Sequence, residues 1–392
     1  MKKIAHILGV IILSTVLFAQ ELSRVVTVVN ISVPVRVYKG DSFIDNLKLD
    51  DFEICEDGKL QSVAAVYLIK KTMIEREEGP IKFAPPTQRQ FVFLFQVTEY
   101  VPEIRNAMEY FFSSVFLAED TLEVHTPVKS YKLKGDTLAT LGPEKVKDQL
   151  MKKLRQDIGM GGTECLAIIR EIKSILGNQD PLYEGVQKAL LFEALTSRLD
   201  QMRSVDEKRL LDFAAYLKKR EGQKHVFIFC QKEMIPKLAM NELIKMESTY
   251  NYDLVSLMSF YRRDISFDVD LIRKAFSDSS ITAHFLFITK APAQDSRVEI
   301  TEMKPLQSVT MTEYSEDFFS AFREVSRATG GIADSTSNME SALKKAAEAS
   351  ENYYLLYYQP KDYRPDGKFK NITVKVKGDR YRISYRLGYF AN

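Results

Sequence analysis

Thiol and imidazole groups are the side chains of this sequence with the most recognisable chemistry. Cys165 and Cys230, each considered with His225, are the combinations that could supply a nucleophile and its base. No local signature of a cysteine enzyme accompanies them, and the sequence contains neither a Gly-x-Ser-x-Gly elbow nor a His-Glu-x-x-His helix. We therefore predict no catalytic residue and no enzymatic activity, with an unrecognised Cys/His enzyme as an alternative.

The glycine cluster GMGG, Gly159 to Gly162, is a second feature with possible chemistry. Glycines before a helix can leave its first amides open to an anion, although a simple turn explains the same letters. Either interpretation predicts that a new helix begins here, separate from the helix predicted over PEKVKDQLMKKLRQ. Thr163 would then cap that new helix.

The periodicity of the chain indicates two kinds of architecture. After Gln90, apolar runs such as FVFLFQV alternate with amphipathic segments, which predicts an α/β fold with a doubly wound, mainly parallel sheet. Both ends of the chain instead alternate with period two, as in RVVTVVNISVPVRVYK and KFKNITVKVKG. Three strands at either end are too few for a stable two-layer structure, so we expect the termini to form one shared β-sandwich.

The amino terminus predicts export. MKK is followed by the apolar run IAHILGVIILSTVLFA, which is shorter than the roughly 20 residues needed to span a bilayer. A membrane anchor is the alternative, but cleavage would leave a periplasmic or extracellular protein without a stable membrane span. The predicted divisions are a signal peptide over 1–19, the first part of the sandwich over 20–74, a linker over 75–89, the α/β domain over 90–350 and the closing strands over 351–392.

Charge and cysteine content limit the possible partners. The net charge is +2 with both signs interspersed, so we expect no nucleic-acid binding. The sequence has no phosphate-cradling glycine-rich motif, and we expect no cofactor. Export would place Cys55, Cys165 and Cys230 in an oxidising compartment. The cysteine content is equally consistent with three buried thiols and with one disulfide. A disulfide, if present, should join Cys165 to Cys230 near the carboxyl edge of the sheet.

Six motifs are spread along the chain: LDDFEICEDGKLQSV, GGT, ATGG, NYYLLYYQP, DGKFKNITVKVK and RLGYF. Together they resemble those of the von Willebrand factor A-related exported proteins of the acidobacterial type. The resemblance covers nearly the whole mature chain. It implies a von Willebrand factor A-like domain, a fold that generally binds proteins.

The resemblance also implies where a metal-ion-dependent adhesion site would lie, and the expected ligands are missing there. The corresponding positions are Gln96, Thr98, Tyr100, Thr163 and Gln231. Hard divalent cations need carboxylates to offset the loss of their water, and none of these five side chains is acidic. We therefore predict a degenerate site that holds no metal and binds an unidentified protein partner in an interaction or scaffold role. A metal-dependent adhesin with an atypical site, using Glu99 or Glu233, is the alternative.

Overall fold

The structure is a computed structural model that describes residues 29–134, 137, 140–177, 185–203, 205–231, 234–238, 267–288, 309–313, 316–378 and 380–392. The predicted signal peptide lies outside these residues, as does Glu233. None of the described helices is both long enough and apolar enough to cross a bilayer.

The amino-terminal part of the chain is built from strands. They are β1 (Ile31–Lys39), β2 (Ser42–Phe43), β3 (Phe52–Glu56), β4 (Lys59–Gln61), β5 (Val63–Lys70) and β6 (Met73–Glu78). The last strands of the chain are β15 (Asn352–Tyr358), β16 (Phe369–Val376), β17 (Arg382–Tyr385) and β18 (Gly388–Phe390). Residues 73–78 therefore form a strand where the sequence predicted a linker from position 75, because β6 pairs with β5 along its length.

Two antiparallel sheets combine strands from both ends of the chain. One has the order β17-β1-β15-β5-β6, with β2 beside β1, and the other has the order β18-β16-β3-β4. Val33 of β1 lies opposite Leu356 of β15, and Ile54 of β3 lies opposite Val374 of β16. These four side chains belong to one buried cluster, so the two sheets face each other across a common core.

The middle of the chain alternates strands with helices. Its strands are β7 (Arg89–Gln96), β8 (Thr121–His125), β9 (Ser130–Lys134), β10 (Gln223–Gln231), β11 (Met234–Leu238), β12 (Ile281–Ile288), β13 (Val309–Glu313) and β14 (Ala333–Thr336). Its helices are α1 (Pro102–Tyr110), α2 (Pro143–Gly177), α3 (Gly185–Arg203), α4 (Glu207–Lys218), α5 (Val269–Asp278), α6 (Glu316–Ala328) and α7 (Met339–Glu351). A π-helical stretch, Phe111–Val115, extends α1.

The central sheet has the order β14-β12-β10-β7-β8-β9, in which every pair is parallel except β8 with β9. Phe91, Phe93 and Phe95 of β7 pack on one side with α1, α2 and α7, whereas Val92 packs on the other side with α4, α5 and α6. The chain is thus mixed α/β, and its central sheet is parallel across five strands. The antiparallel β9 and the separate pair β11–β13 lie outside the predicted alternation.

A buried ion pair fixes the start of β7. Arg89 and Asp120 both have side chains that are 0% exposed, and their Nη2 and Oδ2 atoms lie 2.6 Å apart. Arg89 also donates to the Val115 carbonyl at 2.7 Å, at the end of the π-helical turn. Burial raises the pKa of Asp120, and Arg89 opposes that effect. This pair ties β7 to the chain that leads into β8.

Candidate functional site

The candidate site lies at the carboxyl edge of the central sheet, where β7 and β10 end side by side. Gln96 at the end of β7 is in register with Cys230, the residue before Gln231. Because the two strands are parallel, the loop that follows β7 passes directly over the end of β10. This topology brings two of the five predicted positions, Thr98 and Gln231, into contact.

The Gln231 side chain holds the loop after β7. Its Oε1 atom accepts hydrogen bonds from the Thr98 amide at 3.2 Å, the Thr98 hydroxyl at 3.3 Å and the Glu99 amide at 3.1 Å. One amide oxygen therefore serves three donors, two of which are backbone groups that a turn would otherwise leave to water. Gln231 acts here as a structural clamp on the loop.

The glycine cluster supports the same loop from α2. A Cβ atom added at Gly162 would lie 1.8 Å from the Thr98 carbonyl oxygen, and one added at Gly161 would lie 2.5 Å from Cβ of Pro127, after β8. Only a residue without a side chain allows the helix backbone to approach these loops so closely. The prediction that GMGG marks a turn or an anion-binding helix start is wrong, because the cluster lies inside the continuous helix Pro143–Gly177.

Thr163 consequently has a different role from the one predicted. It is exposed in the middle of α2, and its hydroxyl donates to the Gly159 carbonyl at 2.7 Å, one helical turn earlier. It cannot cap a helix that begins 20 residues upstream at Pro143. The hydroxyl is committed to the backbone of its own helix and does not join the hydrogen bonds around Gln231.

Tyr100 and Gln96 lie on either side of the clamped loop. Gln96 is exposed at the end of β7, whereas Tyr100 is half-buried against the cluster under α1 and α2. The guanidinium carbon of Arg155, on α2, lies 5.8 Å from the centre of the Tyr100 ring. Partial burial raises the pKa of Tyr100, while the nearby Arg105 and Arg155 act in the opposite direction. The phenol is therefore neutral at physiological pH and has a cation beside it.

Asp157 is a site residue that the sequence did not reveal. Its buried carboxylate accepts from the Thr126 hydroxyl at 2.9 Å and from the Tyr131 hydroxyl at 2.7 Å, so it joins α2 to the β8–β9 hairpin. Burial and this bond raise the pKa of Tyr131 to about 12. The predicted helix stopped one residue before Asp157. The continued apolar spacing through Ile158 was the available sign that the helix went on.

The five predicted positions do not fit a divalent cation. The Gln231 oxygen already accepts three hydrogen bonds, and the Thr163 hydroxyl is directed to the Gly159 carbonyl. Within the described part of the chain there is no group of three or more His, Cys, Asp or Glu side chains that could hold a metal. Of the two acids in the alternative assignment, Glu99 is exposed on the clamped loop and Glu233 lies outside the described residues.

The thiol and imidazole groups do not form the nucleophile–base pair considered above from Cys230 and His225. His225 packs beside Phe91 on the face of the sheet covered by α1, α2 and α7, whereas Cys230 belongs to the cluster on the opposite face. Five residues of extended strand also separate them by roughly 16 Å. Cys165 and Cys230 are buried and Cys55 is half-buried, and no disulfide is formed among the cysteines of the described part of the chain.

Comparison with known proteins gives no family for this chain. No protein-family model matches the sequence, and no curated protein is significantly similar to it. One similar solved structure is an aerotolerance-related membrane protein from Bacteroides fragilis, carrying multiple mutations to serines, with a TM-score of 0.29 and 11% identity over 67% of this chain and 98% of that chain. Another is the human COPII-coat protein Sec24c, with a TM-score of 0.28 and 8% identity over 84% of this chain and 46% of that chain. Overlaps this low do not define a shared fold or a shared function.

Proposed function

We propose that this chain is an exported, non-enzymatic protein-interaction or scaffold protein. In this proposal its central domain is of the von Willebrand factor A type, and the loop after β7 binds a partner protein without a metal ion. The observation that carries the proposal is the clamping of that loop by Gln231 and Gly162 beneath the half-buried Tyr100.

A loop held from two sides favours binding because little conformational freedom remains to be lost. Gln231 fixes the amides of Thr98 and Glu99, and the backbone of α2 at Gly162 lies against the Thr98 carbonyl. Ordering a mobile loop on association costs free energy, so a loop that is already ordered leaves more of the contact energy for affinity. The clamp therefore supports recognition of a partner by this loop.

The side chains around this loop are of the types that concentrate binding energy in protein interfaces. Tyrosine and arginine are enriched among the residues whose removal weakens complexes most, and Tyr100 lies beside Arg155 here. The inner part of the Tyr100 ring packs on the core, so the ring is held in place while part of it remains accessible. The exposed amide of Gln96 adds a hydrogen-bonding group at the rim.

Tyr216 provides a matched control for testing the role of Tyr100. It also lies beside an arginine, with Arg220 5.1 Å from its ring, but it is 40% exposed on α4. Wild type, Tyr100→Ala and Tyr216→Ala would each be immobilised and exposed to exported proteins from the native cells, with captured proteins quantified by mass spectrometry. We expect a partner retained by wild type and Tyr216→Ala and depleted by Tyr100→Ala.

Two results would contradict the proposal. Equal depletion in both tyrosine variants would show a general effect of losing a surface tyrosine. Equal retention by all three proteins would show that the Tyr100 surface does not contribute to the interaction. Circular dichroism spectra of the variants would establish that each has kept its fold.

A further inference from the structure

A cavity of about 770 Å³ lies between the central α/β region and the two antiparallel sheets. Its walls come from β1 and β17 on one side and from α5, α6 and the start of β14 on the other. The Ser384 hydroxyl donates to the Gly330 carbonyl at 2.7 Å, and the Leu387 amide donates to the Ala328 carbonyl at 2.7 Å. These bonds join the two sides of the cavity at the amino-terminal end of β14, away from the edge where the candidate site lies.

The charge of the cavity lining is strongly positive. Of the side chains that line it, five are arginines and one, Glu324, is acidic. The arginines are Arg36, Arg273, Arg323, Arg327 and Arg382. The chain as a whole has a net charge of only +2, so this concentration is a local property of the cavity.

Four of these five arginines form no ion pair with a carboxylate in the described part of the chain. Arg273 pairs with Asp270 on the preceding turn of α5, and Arg382 lies 4.3 Å from the centre of the Tyr38 ring. Arg323 and Arg327 are exposed on α6, one turn apart, and neither forms an ion pair within the described residues. Two adjacent, uncompensated guanidinium groups therefore flank the cavity.

Arg36 distinguishes this cavity from a group of solvated surface arginines. It is only 1% exposed, its Nη1 donates to the Gly330 carbonyl at 3.4 Å, and its Nε donates to the Ala349 carbonyl. Its Nη2 nitrogen is buried and has no hydrogen-bond partner among the described residues. Burial lowers the pKa of Arg36, and the groups that oppose this effect are phenols, those of Tyr38 and Tyr353. A buried cation without an acidic partner would be stabilised by a bound anion.

We propose that this cavity binds a small polyanion that carries phosphate or carboxylate groups. Planar guanidinium groups bind both kinds of anion through paired hydrogen bonds, and a concave wall of one charge concentrates the ligand. The volume lies within the range of small-molecule pockets. Arg323, Arg327 and Arg382 hold the anionic groups, and Arg36 supplies positive charge from the wall.

The test is calorimetric titration of the full-length mature protein with inorganic pyrophosphate and, separately, with citrate. The informative variant is the double substitution Arg323→Gln/Arg327→Gln, because both side chains are exposed and their loss should leave the fold intact. The control is Arg209→Gln/Arg364→Gln, which removes the same charge at exposed positions that do not line the cavity. We expect one site per chain, binding at least tenfold weaker in the cavity variant and unchanged in the control.

The two titrants distinguish the chemical class of the ligand. Binding of pyrophosphate alone identifies phosphate groups, and binding of citrate alone identifies carboxylates. Failure of both to bind wild type at millimolar concentration, undiminished binding in the cavity variant, or equal weakening in the two double variants would each overturn the proposal. Tyr100→Ala should bind the anion as wild type does. A failure of the proposed anion binding can therefore be distinguished from a failure of the proposed partner binding at the carboxyl edge.

Discussion

Replacing Gly162 by alanine should separate α2 from the loop after β7, whereas the same change at Gly159 should not. A Cβ atom at Gly162 would lie 1.8 Å from the Thr98 carbonyl oxygen, and the obstacle is backbone on both sides. The helix and the loop would have to move apart by more than an ångström. A Cβ atom at Gly159 meets no heavy atom within 4 Å. The two glycines are three residues apart in one helix, so they form a matched pair.

The two substitutions should change the free energy of unfolding in opposite directions. In a helix interior, alanine in place of glycine stabilises by about 0.5–1 kcal/mol, and Gly159→Ala should show that gain. Gly162→Ala makes the same gain in helix propensity but forces an overpacked contact, for which the usual cost is about 1–3 kcal/mol and sometimes more. Because the gain in helix propensity is common to both variants, we expect them to differ in free energy of unfolding by the overpacking cost, about 1–3 kcal/mol, with Gly159→Ala the more stable.

Urea unfolding followed by circular dichroism measures this difference. Hydrogen exchange over residues 97–101 reports the local consequence, because the Thr98 and Glu99 amides should exchange faster when α2 no longer supports the loop. If Gly162→Ala unfolded at the same urea concentration as Gly159→Ala, with unchanged exchange over 97–101, the close approach of helix and loop would be wrong.

Three further predictions follow from the packing. Asp120→Asn leaves a buried cation unpaired and should lower the free energy of unfolding, measured in urea, by about 3–5 kcal/mol. The control Asp212→Asn, at an exposed pair, should change that free energy by less than about 1 kcal/mol. Similar losses of stability in the two variants would contradict the burial of the Arg89–Asp120 pair. The pKa of Tyr131 is raised from 10.0 to about 12, so its neutral form stabilises the fold below pH 10 and that contribution is lost as the pH rises through 12. The titration of Tyr131 can be followed by phenolate absorbance, with its signal isolated by subtracting the titration of Tyr131→Phe. Asp157→Asn should lower the pH midpoint of that titration, and an unchanged midpoint would rule out the hydrogen bond. Deleting the chain from Asn352 onward removes β15 from between β1 and β5, so β1 should lose its amide protection in hydrogen exchange; retained protection would refute the shared sheet.

The broad architecture was predictable because it rests on periodicity. The continuous apolar run FVFLF forms the buried strand β7, and the period-two segments at the two ends of the chain pair with each other. Counting strands at each end was sufficient to expect that pairing, since neither set could cover its own apolar face. The domain boundaries and the von Willebrand factor A-like identity remain predictions.

The misinterpretation of α2 shows where local sequence fails. Glycine weakens a helix by about 1 kcal/mol relative to alanine, and three glycines within four residues therefore indicate a break. The helix nevertheless continues through these glycines, where its backbone packs against Thr98 and Pro127. Those two residues are distant in sequence, so the contacts cannot be inferred from the glycines themselves. The assignment of Thr163 as a cap failed for the same reason, because it depended on the helix beginning there.

The candidate site was predictable only as far as topology determines it. Parallel strands end at one edge, so Thr98 and Gln231 could be expected near each other. The direction of the Gln231 amide, and its use as an acceptor for three donors, depends on loop geometry that the sequence does not specify. Asp157 was missed because it followed a helix that was predicted to end too soon.

The affinity of the captured partner for the protein, measured with and without EDTA, separates metal-free binding from metal-dependent binding. Biolayer interferometry would be run with wild type and with Tyr100→Ala. We predict the same dissociation constant for wild type in EDTA and in buffer containing magnesium and calcium. We also predict binding weaker by about 5- to 30-fold for Tyr100→Ala, equivalent to about 1–2 kcal/mol. Loss of wild-type binding in EDTA that is restored by either cation would show that the interaction depends on a metal ion. A Tyr100→Ala variant that binds as tightly as wild type would show that Tyr100 is not part of the binding surface.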